Sequence, residues 1–372
     1  MGTAKMVFSR VLIVTCSLLV LVLSNSSSCD ATKHKNCGFD AIYNFGTSMS
    51  DTGNAMHLTP NASEFNAPYG RSIKDAKGRY SDGFLVIDYF AKAACLPLLN
   101  PYLNKDVKDT HGGVNFAVAG ATALPREALE KFNLQPFINI SLDIQLQWWG
   151  NYAKSLCNNS KVDCKEKLKS SLFSIEAMGA NDYLTAMLRG KTIEELKKMD
   201  LVSQVIKANE EGVRKIIGYG ATQVLVTGYL HVGCAPSLLA MRSNSSDARD
   251  QFGCLKDYND FIKYHNDLLR EAISRLRKEH PDVHILIGDY YTAMQSVLDN
   301  HQKLGFESVL VACCGTGGKY NFDHRKKCGT QGVQSCSDPR KYISWDGLHM
   351  TQESHKHIAK WYIQDIFSKF QS

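Results

Sequence analysis

Three short polar segments of this chain hold side chains suited to moving an acyl group. The first, Gly46-Thr47-Ser48-Met49-Ser50-Asp51-Thr52-Gly53-Asn54, sets a serine in a glycine-bounded turn. The second, Gly179-Ala180-Asn181-Asp182, presents an amide, and the third, Ser344 to Thr351, carries Asp346 and His349 on either side of Gly347. A serine hydroxyl is a poor nucleophile until a neighbouring imidazole takes its proton. The imidazole in turn needs its other nitrogen held by a carboxylate, which fixes the tautomer and stabilises the imidazolium. Asp346 is close enough in sequence to reach Nδ1 of His349 without help from distant folding. Backbone N–H groups and the Asn181 amide can then hold a developing oxyanion, each donor contributing roughly 3–4 kcal/mol in the transition state. Singly, each segment has a plain structural reading: Ser48 as a turn former, Asn181 and Asp182 as a helix cap, His349 as a surface residue. Their order and their neighbours favour the chemical reading.

Such groups need elements to position them, and the chain alternates short apolar strands with longer amphipathic helices. Ala41–Phe45, Leu172–Met178, Gln223–Thr227 and His284–Ile287 read as strands, and Phe84–Leu96, Leu142–Ala153, Leu201–Ile217, Tyr258–Arg277 and Gln352–Phe370 as helices. That alternation predicts an α/β fold with a parallel sheet covered on both faces. In open sheets of this kind ligands sit beyond the carboxyl ends of the strands, which is where the polar segments fall. No repeat or linker interrupts the pattern, so one domain over residues 29–372 is the simplest organisation.

The N-terminus predicts where the protein works. Lys5 and Arg10 precede the apolar run Val11–Leu23, followed by Ser24–Ser28. This describes a cleavable secretory signal over residues 1–28, too short to span a bilayer. No later stretch approaches a spanning length, so stable membrane insertion is not expected. Of twelve cysteines, Cys16 leaves with the signal, and an oxidising compartment makes disulfides the default for the rest. Cys157 with Cys164, Cys234 with Cys254, and Cys314 with Cys328 or Cys336 are the short-loop pairings. Sequons at Asn61, Asn139, Asn158 and Asn244 predict glycosylation. The formal charge of +6 is spread along the chain without a basic cluster, which argues against a nucleic-acid partner. No G-x-S-x-G elbow and no Walker or dinucleotide-binding glycine loop is present. His355 and His357 are expected to decorate the last helix rather than bind metal. Tyr183, Trp148, Trp149 and Phe306 are candidates for a pocket wall, weighed against a core role.

The ordered blocks give the chain a family resemblance along essentially its whole mature length. The Tyr43–Asn54 block, Val114-Asn115-Phe116-Ala117-Val118-Ala119-Gly120-Ala121-Thr122, the G-x-N-D block at Gly179 and Trp345-Asp346-Gly347-Leu348-His349 resemble those of the plant GDSL esterase/lipases, a branch of the SGNH hydrolases. Lys77–Gly83, Gly228–Cys234 and Ala312–Gly315 are further landmarks. The nearest resemblance is to the branch containing acetylajmalan and sinapine esterases. It implies a three-layer α/β/α sandwich with a mainly parallel sheet, and hydrolysis of small-molecule carboxylic esters without metal or organic cofactor. It also implies Ser48 as nucleophile, His349 as general base and acid, Asp346 as its orienter, and an oxyanion hole from the Ser48 and Gly120 N–H groups and the Asn181 side chain. The expected product is a secreted serine esterase, extracellular or vacuolar, acting on acetyl or other small acyl esters of a specialised plant metabolite.

One departure lies beside the nucleophile, where Thr47 stands in place of the family's usual aspartate. A threonine holds a turn through hydrogen bonds less completely than a carboxylate does. Met49 replaces the usual leucine with little change of size, and Glu176-Ala177-Met178 is a looser approach to the G-x-N-D block. Two alternatives follow: acyl transfer from the same acyl-enzyme, or a ligand-binding member with impaired catalysis.

Overall fold

A computed structural model describes residues 39–73, 77–107, 110–157, 161–242 and 246–370. The predicted signal segment and the sequons at Asn158 and Asn244 lie outside the described residues; Asn61 and Asn139 are exposed.

Strands β1 (Ala41–Gly46), β2 (Asn100–Pro101), β3 (Gly113–Asn115), β4 (Ser171–Glu176), β5 (Gln223–Thr227) and β6 (His284–Gly288) form one sheet in the order β2-β3-β1-β4-β5-β6. Every pairing in it is parallel. Both faces of the sheet are covered, so its strands are mostly apolar, with Asn44, Asn115, Ser174 and Glu176 among the buried polar exceptions. Tyr43, Phe45, Phe173, Ile175, Val224 and Val226 pack on one face, with helices Leu142–Leu156, Leu201–Gly218 and Lys256–Glu279. The alternate residues Ile42, Leu172 and Leu225 pack on the other, with helices Val86–Ala93, Tyr290–Asp299 and Gln352–Phe370. The period of two along each strand thus feeds two separate apolar layers.

Two predicted elements end early for backbone reasons. The strand predicted to run to Met178 stops at Glu176, because Ala177 takes φ 52° and turns the chain. The helix predicted over Phe84–Leu96 stops at Ala93, before Cys95 at φ 57°. Trp149 and Phe306 are core residues, and Trp148 stacks on Tyr102 at 5.5 Å. His355 is buried in the last helix's packing rather than on its surface, whereas His357 lies 3.2 Å from Glu353.

Beyond the sheet, β7 (Ser308–Ala312) pairs in parallel with β10 (Tyr342–Ser344), and β8 (Cys314–Gly315) pairs antiparallel with β9 (Gln334–Ser335). Disulfides Cys313–Cys336 and Cys314–Cys328 close the segment between them, and Cys157–Cys164 and Cys234–Cys254 join as expected. Cys95 is also disulfide-bonded. Among the described residues no helix is long and apolar enough to cross a membrane.

Candidate active site

The site is built where β1, β4 and β10 end. Gly46 closes β1 opposite Glu176 of β4. A Cβ on Gly46 would lie 2.6 Å from the Ser50 hydroxyl and 2.8 Å from the Glu176 carbonyl, so only glycine lets the chain turn there. The buried amide of Gln145, on helix Leu142–Leu156, clamps this residue: its Oε1 accepts from Gly46 N at 2.9 Å and its Nε2 donates to Gly46 O at 2.8 Å. The chain then turns tightly, with Ser50 N and Asp51 N both donating to Thr47 O at 3.1 and 3.0 Å. Ser48 sits at the head of this turn and is partly exposed.

Asp51 is the turn's main fastening. Its Oδ1 accepts from Gly53 N and Asn54 N, each at 2.7 Å, and its Oδ2 accepts from Ala55 N at 3.0 Å and Ala119 N at 2.8 Å. Burial pushes its carboxyl up to about 6, against the pull of those N–H groups. Thr47 adds little, since its hydroxyl accepts only a long 3.5 Å contact from Met49 N.

Gly120 follows Ala119 in the left-handed region, at φ +82°, which a glycine adopts without strain. The loop that carries it is fixed at its far end by the G-x-N-D block. Asp182 accepts from Ala123 N at 2.8 Å and Leu124 N at 3.0 Å, while Asn181 Nδ2 donates to Ala121 O at 2.8 Å. Two buried carboxylates, one three residues past Ser48 and one next to Asn181, therefore bind the Gly120 loop to both neighbouring segments. One Asn181 N–H is engaged in this way, and an amide has a second to offer.

His349 completes the arrangement. Its Nε2 lies 2.9 Å from Ser48 Oγ, and its Nδ1 lies 2.7 Å from Asp346 Oδ2. The other oxygen, Oδ1, accepts from Leu348 N at 2.9 Å and His349 N at 2.7 Å. Burial alone would raise the Asp346 carboxyl, yet His349 and these N–H groups hold it down to about 2. Ser48, His349 and Asp346 thus stand in an unbroken hydrogen-bonded line, with Asn181 and Gly120 lining the space in front of it.

Two cavities meet at Ser48 and share Asn181, Leu184, Leu348 and His349. One, of about 100 Å³, is walled by Met49, Tyr183, Met187, Leu238 and Met294. The other, of about 1020 Å³, opens past Tyr69, Tyr80, Gly120, Phe137, Phe322 and Arg325. Tyr183 is therefore the one predicted wall residue, of the four, that lines either cavity. Asp51, Gln145 and Tyr69 were not singled out by sequence reasoning. Asp51 stood inside the quoted serine block, but the partners of Gln145 and Tyr69 are 99 and 277 residues away. Among the described residues, the one cluster of potential metal ligands is Cys234, Asp250 and Cys254. Its two sulfurs are joined in a disulfide, so neither offers a thiolate.

Comparison with known proteins agrees with this geometry. Residues 42–362 match the GDSL-like Lipase/Acylhydrolase family. The chain belongs to that family. Acetylajmalan esterase 2 of Rauvolfia serpentina is 42% identical over 90% of this chain and 92% of its own length. A GDSL esterase/lipase of Arabidopsis thaliana is 37% identical over 94% of this chain and 88% of its own. Sinapine esterase of Brassica napus is 38% identical over 91% and 87%. This GDSL family member is a carboxylic ester hydrolase with an α/β fold.

Proposed function

We propose that this esterase works through an acyl-enzyme on Ser48 and releases a small acyl group from a bulky alcohol. The observation that carries the reading is the Ser48–His349–Asp346 line at 2.9 and 2.7 Å. His349 Nε2 takes the Ser48 proton as Oγ attacks the ester carbonyl, and Asp346 stabilises the imidazolium that forms. The oxyanion is held by the Ser48 and Gly120 N–H groups and the free Asn181 N–H, fixed beforehand by Asp51 and Asp182. Imidazolium then protonates the departing alkoxide, and water, activated by the same imidazole, releases the acid and regenerates Ser48.

The difference in size and lining between the cavities supports the division of the substrate. The narrow apolar one suits a short acyl chain, and the wide one suits the alcohol and leaves room for water. That access favours hydrolysis over transfer to a second alcohol. The relatives named acetylajmalan esterase and sinapine esterase support esters of plant metabolites as substrates. Described disulfides and exposed Asn61 and Asn139 are consistent with a glycosylated product of the secretory pathway, folded as one domain.

Purified mature protein should hydrolyse p-nitrophenyl acetate, with activity abolished in Ser48→Ala and His349→Ala, and should slow steeply with longer acyl chains. Equal turnover in all three proteins would remove the triad assignment. A flat chain-length profile would remove the acyl assignment of the narrow cavity.

A further inference from the structure

Asp346 Oδ2, the oxygen that holds His349 Nδ1, has a second partner. The hydroxyl of Tyr69, 277 residues away in sequence, donates to it at 2.8 Å. With Leu348 N and His349 N on Oδ1, each oxygen of this carboxylate has two donors. We propose that Tyr69 is a positioning residue of the catalytic group, sharing the charge of Asp346 Oδ2 with His349 and thereby setting how readily that imidazole gains and loses its proton. The proposal rests on the triad reading above.

Packing holds the phenol in place. Its ring meets Trp345, the residue before Asp346, edge-on at 5.8 Å, and Tyr80 at 6.4 Å. Tyr80 in turn lies 5.0 Å from the His349 ring. Burial, with Asp346 beside it, keeps the Tyr69 hydroxyl well above its ordinary pKa, so it remains a donor throughout the working pH range. Among the other ionisable groups, Glu64 acts on both tyrosines, Asp51 on Tyr80 and His355 of the last helix faces His349, while Asp323, His324, Arg325 and Lys327 line the same wide cavity. Burial and then the charge of His349 push His355 down to about 3, so it stays neutral near pH 7. Of these groups, only Tyr69 donates a side-chain hydrogen bond to Asp346 besides His349 itself.

A hydrogen bond to a carboxylate oxygen draws charge away from its other partners. Removing it leaves more negative charge for His349 Nδ1–H, which stabilises the imidazolium and makes the imidazole a stickier base. The same removal frees one tether on the carboxylate. The two effects have separate signatures. In Tyr69→Phe the acid limb of the kcat/KM profile for p-nitrophenyl acetate should move up by about half a pH unit or more, and kcat should fall roughly threefold to tenfold. The downfield N–H proton resonance of His349 should also move further downfield, because its bond to Asp346 shortens. The phenylalanine ring keeps the contacts with Trp345 and Tyr80. A lower rate with an unmoved acid limb and an unmoved resonance would reduce Tyr69 to a packing role and overturn the proposal. Ser48→Ala separates this from failure of the triad: if that variant keeps full activity, the triad reading itself falls.

Discussion

Asp51 Oδ2 accepts a 2.8 Å hydrogen bond from Ala119 N, joining the serine turn to the residue before Gly120. Two segments 68 residues apart, each proposed to supply an oxyanion donor, are thus fixed to one buried carboxylate. Preorganisation of this kind matters because donors that must reorient at the moment of reaction lose much of their value.

Asp51→Asn replaces one acceptor oxygen with a donor that faces N–H groups. It should lower kcat/KM for p-nitrophenyl acetate by roughly 10- to 100-fold and unfolding free energy by about 2–4 kcal/mol, since buried N–H groups lose a charged acceptor. Thr47→Ala, which loses the 3.5 Å contact to Met49 N and one buried methyl group, should change kcat less than about threefold. Parallel steady-state kinetics and urea titrations check both. A larger effect at Thr47 than at Asp51 would reverse the ranking of the two residues.

Asn181→Ala should reduce kcat by roughly 10²- to 10³-fold while changing KM little, because an oxyanion donor, the role proposed for Asn181, acts mainly on the transition state. The Ala121 carbonyl loses its 2.8 Å donor at the same time, so a small stability loss is expected as well. Unchanged kcat with raised KM would place Asn181 in ground-state binding instead.

The wall of the wide cavity depends on its cross-links. The Cys314–Cys328 disulfide closes a segment of separation 14, and Gly317, Phe322 and Arg325 within it line the cavity. Replacing both cysteines with serine should cost about 3 kcal/mol of stability. It should also raise KM for an ester of a bulky alcohol more than KM for p-nitrophenyl acetate. Equal changes for the two substrates would show that this wall does not contact the alcohol.

Stability should vary with pH through Glu176. This fully buried carboxyl accepts from Tyr290 OH at 3.0 Å and Ser174 Oγ at 3.2 Å, yet burial pushes it up from 4.5 to about 7. A raised carboxyl pKa means that the folded state binds the proton more tightly than the unfolded chain. Its contribution is therefore favourable below about pH 4.5 and is lost as pH rises to about 7, a change of about 3 kcal/mol. Glu176→Gln should melt higher than wild type at pH 8 and close to it at pH 5. Parallel melting curves of the two proteins across this range would contradict the assignment.

Much of this arrangement was legible in the sequence because it is local. The strand Gln223–Thr227 and the helix Gln352–Phe370 have the predicted bounds, the first as a short apolar run ending before Gly228 and the second as a long segment opening after Thr351. Asp346 and His349 lie three residues apart, so their contact follows from a single turn. What stayed hidden is long-range. Nothing near Gln145 reveals that its amide meets Gly46, and nothing near Tyr69 points to Asp346. The ends of β4 and of helix Val86–Ala93 were also missed, because left-handed Ala177 and Cys95 break the pattern at residues that rarely adopt that conformation. The disulfide alternatives at Cys314 needed the fold too, since Cys328 and Cys336 are both within reach in sequence and only the fold assigns Cys336 to Cys313.

The most direct test of the central claim is covalent trapping with a p-nitrophenyl phosphonate ester, read by intact mass and peptide mapping. One adduct per chain on Ser48, absent in Ser48→Ala and much slower to form in His349→Ala, is the predicted result. An adduct on another residue, or undiminished ester hydrolysis by Ser48→Ala, would contradict the account.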